Sequence, residues 1–185
     1  MILETKRLII RENKAEDLYK LHDLLCDKEV MYYMQFASNT LEDTKENLQL
    51  SINEQVRGQE REKYYFAIEE KGSLNYVGQI GFDIIIKNSS GGICDLGYFI
   101  HKRYWGLGYT TEAAKAVIQY IFENFNIHKI ETGCNKENKS SEKIMIKCGF
   151  RKEAEFLKHQ WFVDKWSDRL VYGLLKGDGS SFSAK

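Results

Sequence analysis

Two stretches of this 185-residue chain have residue types and spacings that suit chemistry. The first is Arg103-Tyr-Trp-Gly-Leu-Gly108, an arginine ahead of two glycines one residue apart. Glycines near a helix start let the main chain approach a ligand closely, and they turn several N–H groups outward into the positive end of the helix dipole. Such a loop wants an anion, and a diphosphate is the natural occupant. The second stretch is Asn138-x-x-Ser141, followed by Gly149-Phe150. Asn138 or Ser140 suits a helix N-cap, Gly149 the position just past a helix end, and Phe150 the core. Neither stretch is a P-loop, because no G-x-x-x-x-G-K-[ST] run exists, and the dinucleotide fingerprint fails at Thr111, where a third glycine is needed.

The elements around these stretches give them their meaning. Residues 93–101 are aromatic and apolar enough for a strand. Beyond the glycine loop, Ala114, Val117, Ile118, Ile121, Phe122 and Phe125 recur at steps of three and four, one face of an amphipathic helix. Residues 128–134 read as the next strand, reached across that helix, so the two strands should be parallel. Both stretches then fall at the C-terminal ends of one parallel pair.

Elsewhere, residues 7–11 predict a first strand, with Leu3 before it. Asn13 or Lys14 should open a helix whose apolar face includes Leu18, Leu21, Leu24 and Leu25. Residues 31–34 with Phe36 read as an aromatic turn and loop. Asn39 or Thr40 should cap a further helix, with Leu41, Leu48, Ile52 and Val56 inward. Residues 64–68 and 76–86 predict strands, and 140–147 a short helix. Residues 150–157 and 161–175 predict a closing hairpin that turns at Lys158-His-Gln160. The sum is an α+β fold of three layers: a mixed, mostly antiparallel sheet containing one parallel pair, flanked by helices. Residues 1–176 should form a single domain, with the glycine- and serine-rich residues 177–185 a flexible tail.

Bulk properties exclude several functions. Lys plus Arg is 27 and Asp plus Glu is 27, so no net charge argues for nucleic acid or an anionic membrane, and only a locally basic groove is left open. No run is apolar for long enough to cross a bilayer, and the start has no signal-peptide core. Cys26, Cys94, Cys134 and Cys148 are scattered without a C-x-x-C pair, as expected of free thiols in a reducing cytoplasm. The four histidines lie on different elements, so no metal site is expected.

The paired loops resemble the GNAT superfamily of acyl-CoA N-acyltransferases. R-x-x-G-x-G is similar to its pyrophosphate loop, and N-x-x-S followed by G-F to its second cofactor segment. Glu4-Thr-Lys-Arg-Leu-Ile-Ile-Arg11, Ala15-Glu-Asp-Leu18 and the run from Leu96-Gly-Tyr-Phe through Tyr104 to Ala113 look like its Rim-type branch, the ribosomal-protein-alanine N-acetyltransferase-like enzymes. The resemblance spans residues 2–176.

That resemblance implies acetyl-CoA as cosubstrate and CoA as product. In the family the parallel strands splay, and the acyl-CoA arm lies between them. Main-chain groups of Tyr98, Phe99 and Ile100 would hold the arm like an added strand. The diphosphate would sit on N–H groups of Tyr104, Trp105, Gly106, Leu107, Gly108, Tyr109 and Thr110, with Arg103 adding charge. Asn138 would bond the pantetheine or acetyl region.

The implied reaction is direct attack of a neutral amine on the thioester, in a ternary complex. Few amines are neutral at pH 7, so a carboxylate should help remove the proton. Asp95 is the first choice, with Asp83 and Glu12 as alternatives. Many members supply the thiolate's proton from a tyrosine four residues after the position of Ser141; here Met145 stands there and cannot donate, which makes Ser141 the candidate acid. The same methionine motivates a second reading, an acyl-CoA sensor without turnover. Tyr32, Tyr33, Phe36 and Trp161 are the predicted acceptor pocket. The acceptor itself stays open among a protein N-terminus, an antibiotic amine, a polyamine and an amino acid, and the chain could be a monomer or a homodimer.

Overall fold

The computed structural model describes residues 2–34, 40–162 and 164–178. Its strands are β1 (Ile2–Glu4), β2 (Leu8–Glu12), β3 (Lys63–Glu70), β4 (Tyr76–Ile86), β5 (Gly92–Ile100), β6 (Ile127–Asn135), β7 (Arg151–Phe162) and β8 (Lys165–Leu175). They form one sheet in the order β1-β2-β3-β4-β5-β6-β8-β7. Every neighbouring pair is antiparallel except β5 and β6, which are parallel as the crossover predicts.

Among the described residues four α-helices cover the two faces: α1 (Leu18–Cys26), α2 (Leu41–Gln55), α3 (Tyr109–Asn124) and α4 (Lys139–Lys147). Alternate strand residues Leu8, Ile10, Phe66, Ile68, Ile80, Phe82, Leu96 and Ile130 face α3 and α4, burying Ala113, Val117, Ile118, Ile121 and Met145. Ala67 and Tyr76 face the other way, onto Leu21, Leu24, Leu25 and Leu48 of α1 and α2, with Phe99 at the edge. Each large apolar side chain buried in this way contributes about 1.5–3 kcal/mol. The second layer also buries a charge, Arg11, which donates to Asp17 at 2.7 and 2.8 Å and to Glu69 at 3.0 Å. Burial alone would raise the Asp17 carboxyl, but the Arg11 guanidinium and the Lys14 amide hold it below its ordinary value.

Three expectations needed correction. The opening segment is a hairpin rather than one strand, with Glu4 paired to Ile9. On α2 the buried stripe is Thr44, Leu48 and Ser51, while Leu41 is exposed and Val56 is 86% exposed. Val56 is the C-cap, past the last turn, so it cannot extend the stripe. The closing hairpin is longer than predicted and turns beyond Phe162. Residues 158–160 lie inside β7, at an irregularity that leaves residues 157–159 unpaired as the register passes from Phe156↔Arg169 to Gln160↔Ser167. Lys158 takes a positive φ of 47° there, and its displaced N–H finds the Asp168 carboxylate at 2.9 Å.

Candidate active site

The parallel pair opens into a wedge. β5 and β6 pair from Gly92↔Ile127 to Asp95↔Glu131 and no further, although β5 runs on to Ile100 and β6 to Asn135. Above that point the first crossing contact is a side chain, Thr132 Oγ1 donating to the Leu96 carbonyl at 2.8 Å. In an antiparallel ladder, alternate residues point both main-chain groups to the same side. His101 donates its N–H to Val77 of β4. Odd residues of β5 therefore face β4, and Leu96, Tyr98 and Ile100 face the gap. Of the three residues expected to hold an extended ligand arm, Tyr98 and Ile100 present main-chain groups to it. Phe99 is turned to the β4 ladder, and the Ile100 carbonyl already accepts the Trp105 indole N–H at 2.9 Å.

The glycine loop stands at the open end of the wedge. Gly106 and Gly108 have φ of 77° and 80°, and Gly108 is the N-cap of α3 with no side chain to cap the helix. The first helical bond runs from Glu112 N–H to the Gly108 carbonyl, so the amides of Gly108, Tyr109, Thr110 and Thr111 precede it. Nothing lies within 4 Å of where a Cβ on Gly106 would stand, so space for a ligand remains on that side. The cradle is narrower than expected. Tyr104 and Trp105 spend their amides on the carbonyls of His101 and Lys102, and Leu107 spends its amide on Tyr104, because a short 3-10 turn (Lys102–Tyr104) leads into the loop. Arg103 is exposed; it donates to the Tyr76 carbonyl at 3.3 Å and lies over the Tyr104 ring.

A clamp fixes this loop from behind. Glu112 accepts from the Arg7 amide at 2.9 Å, Arg7 Nε at 2.7 Å and the Thr5 hydroxyl at 2.6 Å. Arg7 Nη1 donates in turn to the Leu107 carbonyl at 2.8 Å. The Tyr109 hydroxyl is held by Glu70 at 2.5 Å.

On the opposite wall, Asn138 caps α4, its Oδ1 accepting the Ser141 N–H at 3.0 Å. The capping role expected of Asn138 is therefore filled, and its side chain still lines the cleft. Ser141 Oγ lies 3.0 Å from the Tyr98 hydroxyl. Burial pushes the Tyr98 phenol well above its ordinary value, so it stays protonated. Met145 is in the core, 1% exposed. Burial likewise holds the Cys134 thiol up at about 11.

Asp95 stands at the apex, in the last pair of the parallel ladder, and lines the cleft. One side of it is open to solvent. The surrounding cleft walls nonetheless exclude enough water to raise its carboxyl to about 6, against the pull of Arg169 and with help from Asp83 and Glu131. The alternative bases are spoken for. Asp83 accepts the Tyr65 hydroxyl at 2.6 Å, and Glu12 holds Arg61 through two bonds of 2.9 and 3.0 Å.

Glycine loop, Asn138, Ser141, Tyr98 and Asp95 share one cleft of about 480 Å³. Tyr33 and Met34 line it too. Tyr32 and Trp161 do not: both are more than half exposed, and Trp161 packs edge-on against Trp166 across the hairpin. Moving the turn past Phe162 puts Trp161 at the hairpin tip and brings Gln160 into the cleft instead. Phe36 lies outside the described residues. The cleft also contains Asn135, Gln160 and Arg169, which the sequence did not single out.

Comparison with known proteins gives a family and a fold. The family described as "Acetyltransferase (GNAT) domain" matches residues 7–151. The uncharacterized N-acetyltransferase YnaD of Bacillus subtilis (strain 168) is 30% identical over 176 residues, covering 95% of this chain and 98% of its own. The [ribosomal protein uS5]-alanine N-acetyltransferase of Escherichia coli (strain K12) is 28% identical over 116 residues, 62% of this chain and 59% of its own. A spermidine N-acetyltransferase from Vibrio cholerae, solved in complex with CoA and spermine, superposes with a TM-score of 0.83 at 18% identity, covering 96% of this chain and 100% of that one.

Proposed function

Because the chain belongs to the GNAT acetyltransferase family, we propose that it transfers an acetyl group from acetyl-CoA to a primary amine by direct attack within a ternary complex. One observation carries the reading: the ladder between β5 and β6 ends at Asp95↔Glu131, and the gap above it leads to the amides at the start of α3.

These residues fit the cosubstrate. The amides of Gly106, Gly108, Tyr109, Thr110 and Thr111 would hold the diphosphate at the helix N-terminus. Tyr98 and Ile100 would pair their main-chain groups with the extended arm. Acetyl-CoA supplies an acetyl group activated as a thioester. Asp95, raised to about 6, is ionised at neutral pH and close enough to that range to take a proton from the incoming ammonium, directly or through water. With Tyr98 donating to Ser141 Oγ, one of the two directions this hydroxyl pair allows, the Ser141 hydrogen would be free for the departing sulfur.

The sensor reading rested on Met145. The Tyr98–Ser141 pair puts two hydroxyls on the cleft wall without help from that position, and this favours turnover. No helix among the described residues is long and apolar enough to cross a membrane, and we place the enzyme in the cytoplasm. The test is an amine and peptide panel with acetyl-CoA, read by free thiol, beside thermal stabilisation by CoA, NAD and ATP. The reading expects thiol release with at least one amine, and stabilisation by CoA alone. Stabilisation by CoA with no thiol release from any amine would restore the sensor.

A further inference from the structure

The acceptor side of the cleft contains polar groups that the protein itself does not satisfy. Arg169 lies on β8, beside Asn135 in register, and its guanidinium reaches over Gly133. Its Nη2 and Nε stand 3.1 and 3.3 Å from where a Gly133 Cβ would be, so the glycine makes room for it. Among the described residues the Arg169 guanidinium makes no hydrogen bond or ion pair, whereas the side chain of each of the other six arginines has at least one. Leaving a half-buried guanidinium unpaired is costly unless a ligand oxygen completes it.

Two buried amides repeat the pattern in the same cleft. Asn135 is 3% exposed, and its Nδ2 has no partner. Its other end is fixed, because Oδ1 accepts the Glu137 N–H at 2.9 Å. Gln160 is 7% exposed, and its Oε1 has no partner. The wall thus offers unused donors at Arg169 and Asn135, an unused acceptor at Gln160, and the Asp95 carboxylate at the apex.

Resting on the transferase reading, we propose that this wall selects an α-aminoacyl acceptor. The amine meets Asp95 and Gln160, and the neighbouring carbonyl or carboxylate oxygen meets Arg169 and Asn135. A peptide N-terminus and a free α-amino acid share this chemistry. A polyamine does not, since its second cation would face the guanidinium, while the nearby carboxylates Asp83 and Glu131 are already bound to Tyr65 and Lys129. Arg169 is here a specificity residue.

The test measures ligand affinity by calorimetry with CoA present, and thiol release with acetyl-CoA, for an alanyl peptide amide, L-alanine and 1,4-diaminobutane. Wild type is compared with Arg169→Met and Arg169→Lys. The α-aminoacyl ligands should bind more tightly than the diamine, and whichever of the two binds better names the source. Arg169→Met should weaken them by about tenfold or more, the loss of a charge-assisted hydrogen bond. Arg169→Lys should recover part of that, with acetyl-CoA affinity and melting temperature unchanged. Tighter binding of the diamine, or equal weakening of every acceptor and of acetyl-CoA, overturns the proposal. If α-aminoacyl binding depends on Arg169 but no thiol appears, the inference stands and the transferase reading fails. If thiol release is unaffected by Arg169→Met, the reverse holds.

Discussion

The Tyr98 hydroxyl stands 3.0 Å from Ser141 Oγ, across the gap where the β5–β6 ladder has stopped. This bond ties the end of β5 to the first turn of α4 and places two protonated hydroxyls on one wall of the cleft. The residues are 43 positions apart in the chain, so their meeting is a product of the fold.

Ser141→Ala should lower kcat by about 100-fold or more, the scale of one lost proton donor, while acetyl-CoA affinity holds. Tyr98→Phe should cost a similar factor. Since the two act as one unit, the double variant should be little worse than either single variant. Full turnover in Ser141→Ala would remove the pair from the mechanism.

Asp95 sets the pH response. With its carboxyl at about 6, kcat/KM should rise with pH through that value and level off, and Asp95→Asn should be slow and flat there. Stability moves the other way. A carboxyl raised on folding keeps its proton longer in the native state than in the unfolded one, so its ionisation costs stability as pH climbs from the ordinary aspartate range past about 6. Asp95→Asn should therefore melt higher than wild type at pH 8, with the advantage gone at pH 3. Equal melting temperatures at pH 8 would contradict the raised value.

Gly106 should matter for the ligand more than for the fold. Its φ of 77° strains any side chain, at about 1–2 kcal/mol, yet no atom lies within 4 Å of the Cβ position. Gly106→Val should lower the melting temperature by a few degrees and abolish CoA binding in calorimetry. Retained CoA affinity would mean that the cradle is elsewhere.

The glycines on the cleft floor should separate. A Cβ on Gly97 meets nothing within 4 Å, but one on Gly133 stands 2.7 Å from the Leu170 carbonyl. Gly97→Ala should keep the melting temperature and raise the acceptor KM. Gly133→Ala should lose about 1–3 kcal/mol in denaturant unfolding. A destabilised Gly97→Ala would show that position to be packed rather than open.

The clamp behind the loop is an acid-sensitive brace. Burial tends to raise the Glu112 carboxyl, but hydrogen bonds from Thr5, the Arg7 amide and the Arg7 guanidinium outweigh it and hold it below the ordinary glutamate value. Its contribution is present above that ordinary value and is lost as pH falls through the lowered one. Glu112→Gln should raise the KM for acetyl-CoA several-fold and lower the melting temperature at pH 7, with the deficit shrinking on acidification. A deficit constant with pH would mean that the charge contributes nothing.

The sequence by itself determined the element types, the parallel pair and the position of the glycine loop. Each follows from a local rule: apolar residues every second or every third to fourth position, a glycine spacing at a helix start, and the need for a crossover between parallel strands. Only the tertiary structure decided which carboxylate reached the apex: Asp95 and Asp83 are direct partners in the β4–β5 ladder, and the strand order puts β5, not β4 or β2, beside the gap. It also decided that Trp161 faces outward while Gln160 and Arg169 turn into the cleft. The one-residue bulge between Lys152 and Ala154 shifts the parity of β7 against β8, and the hairpin turns beyond Phe162 rather than at residues 158–160. In a strand, one residue of shift exchanges the faces; no local pattern in the chain fixes such a shift, and only pairing with β8 does.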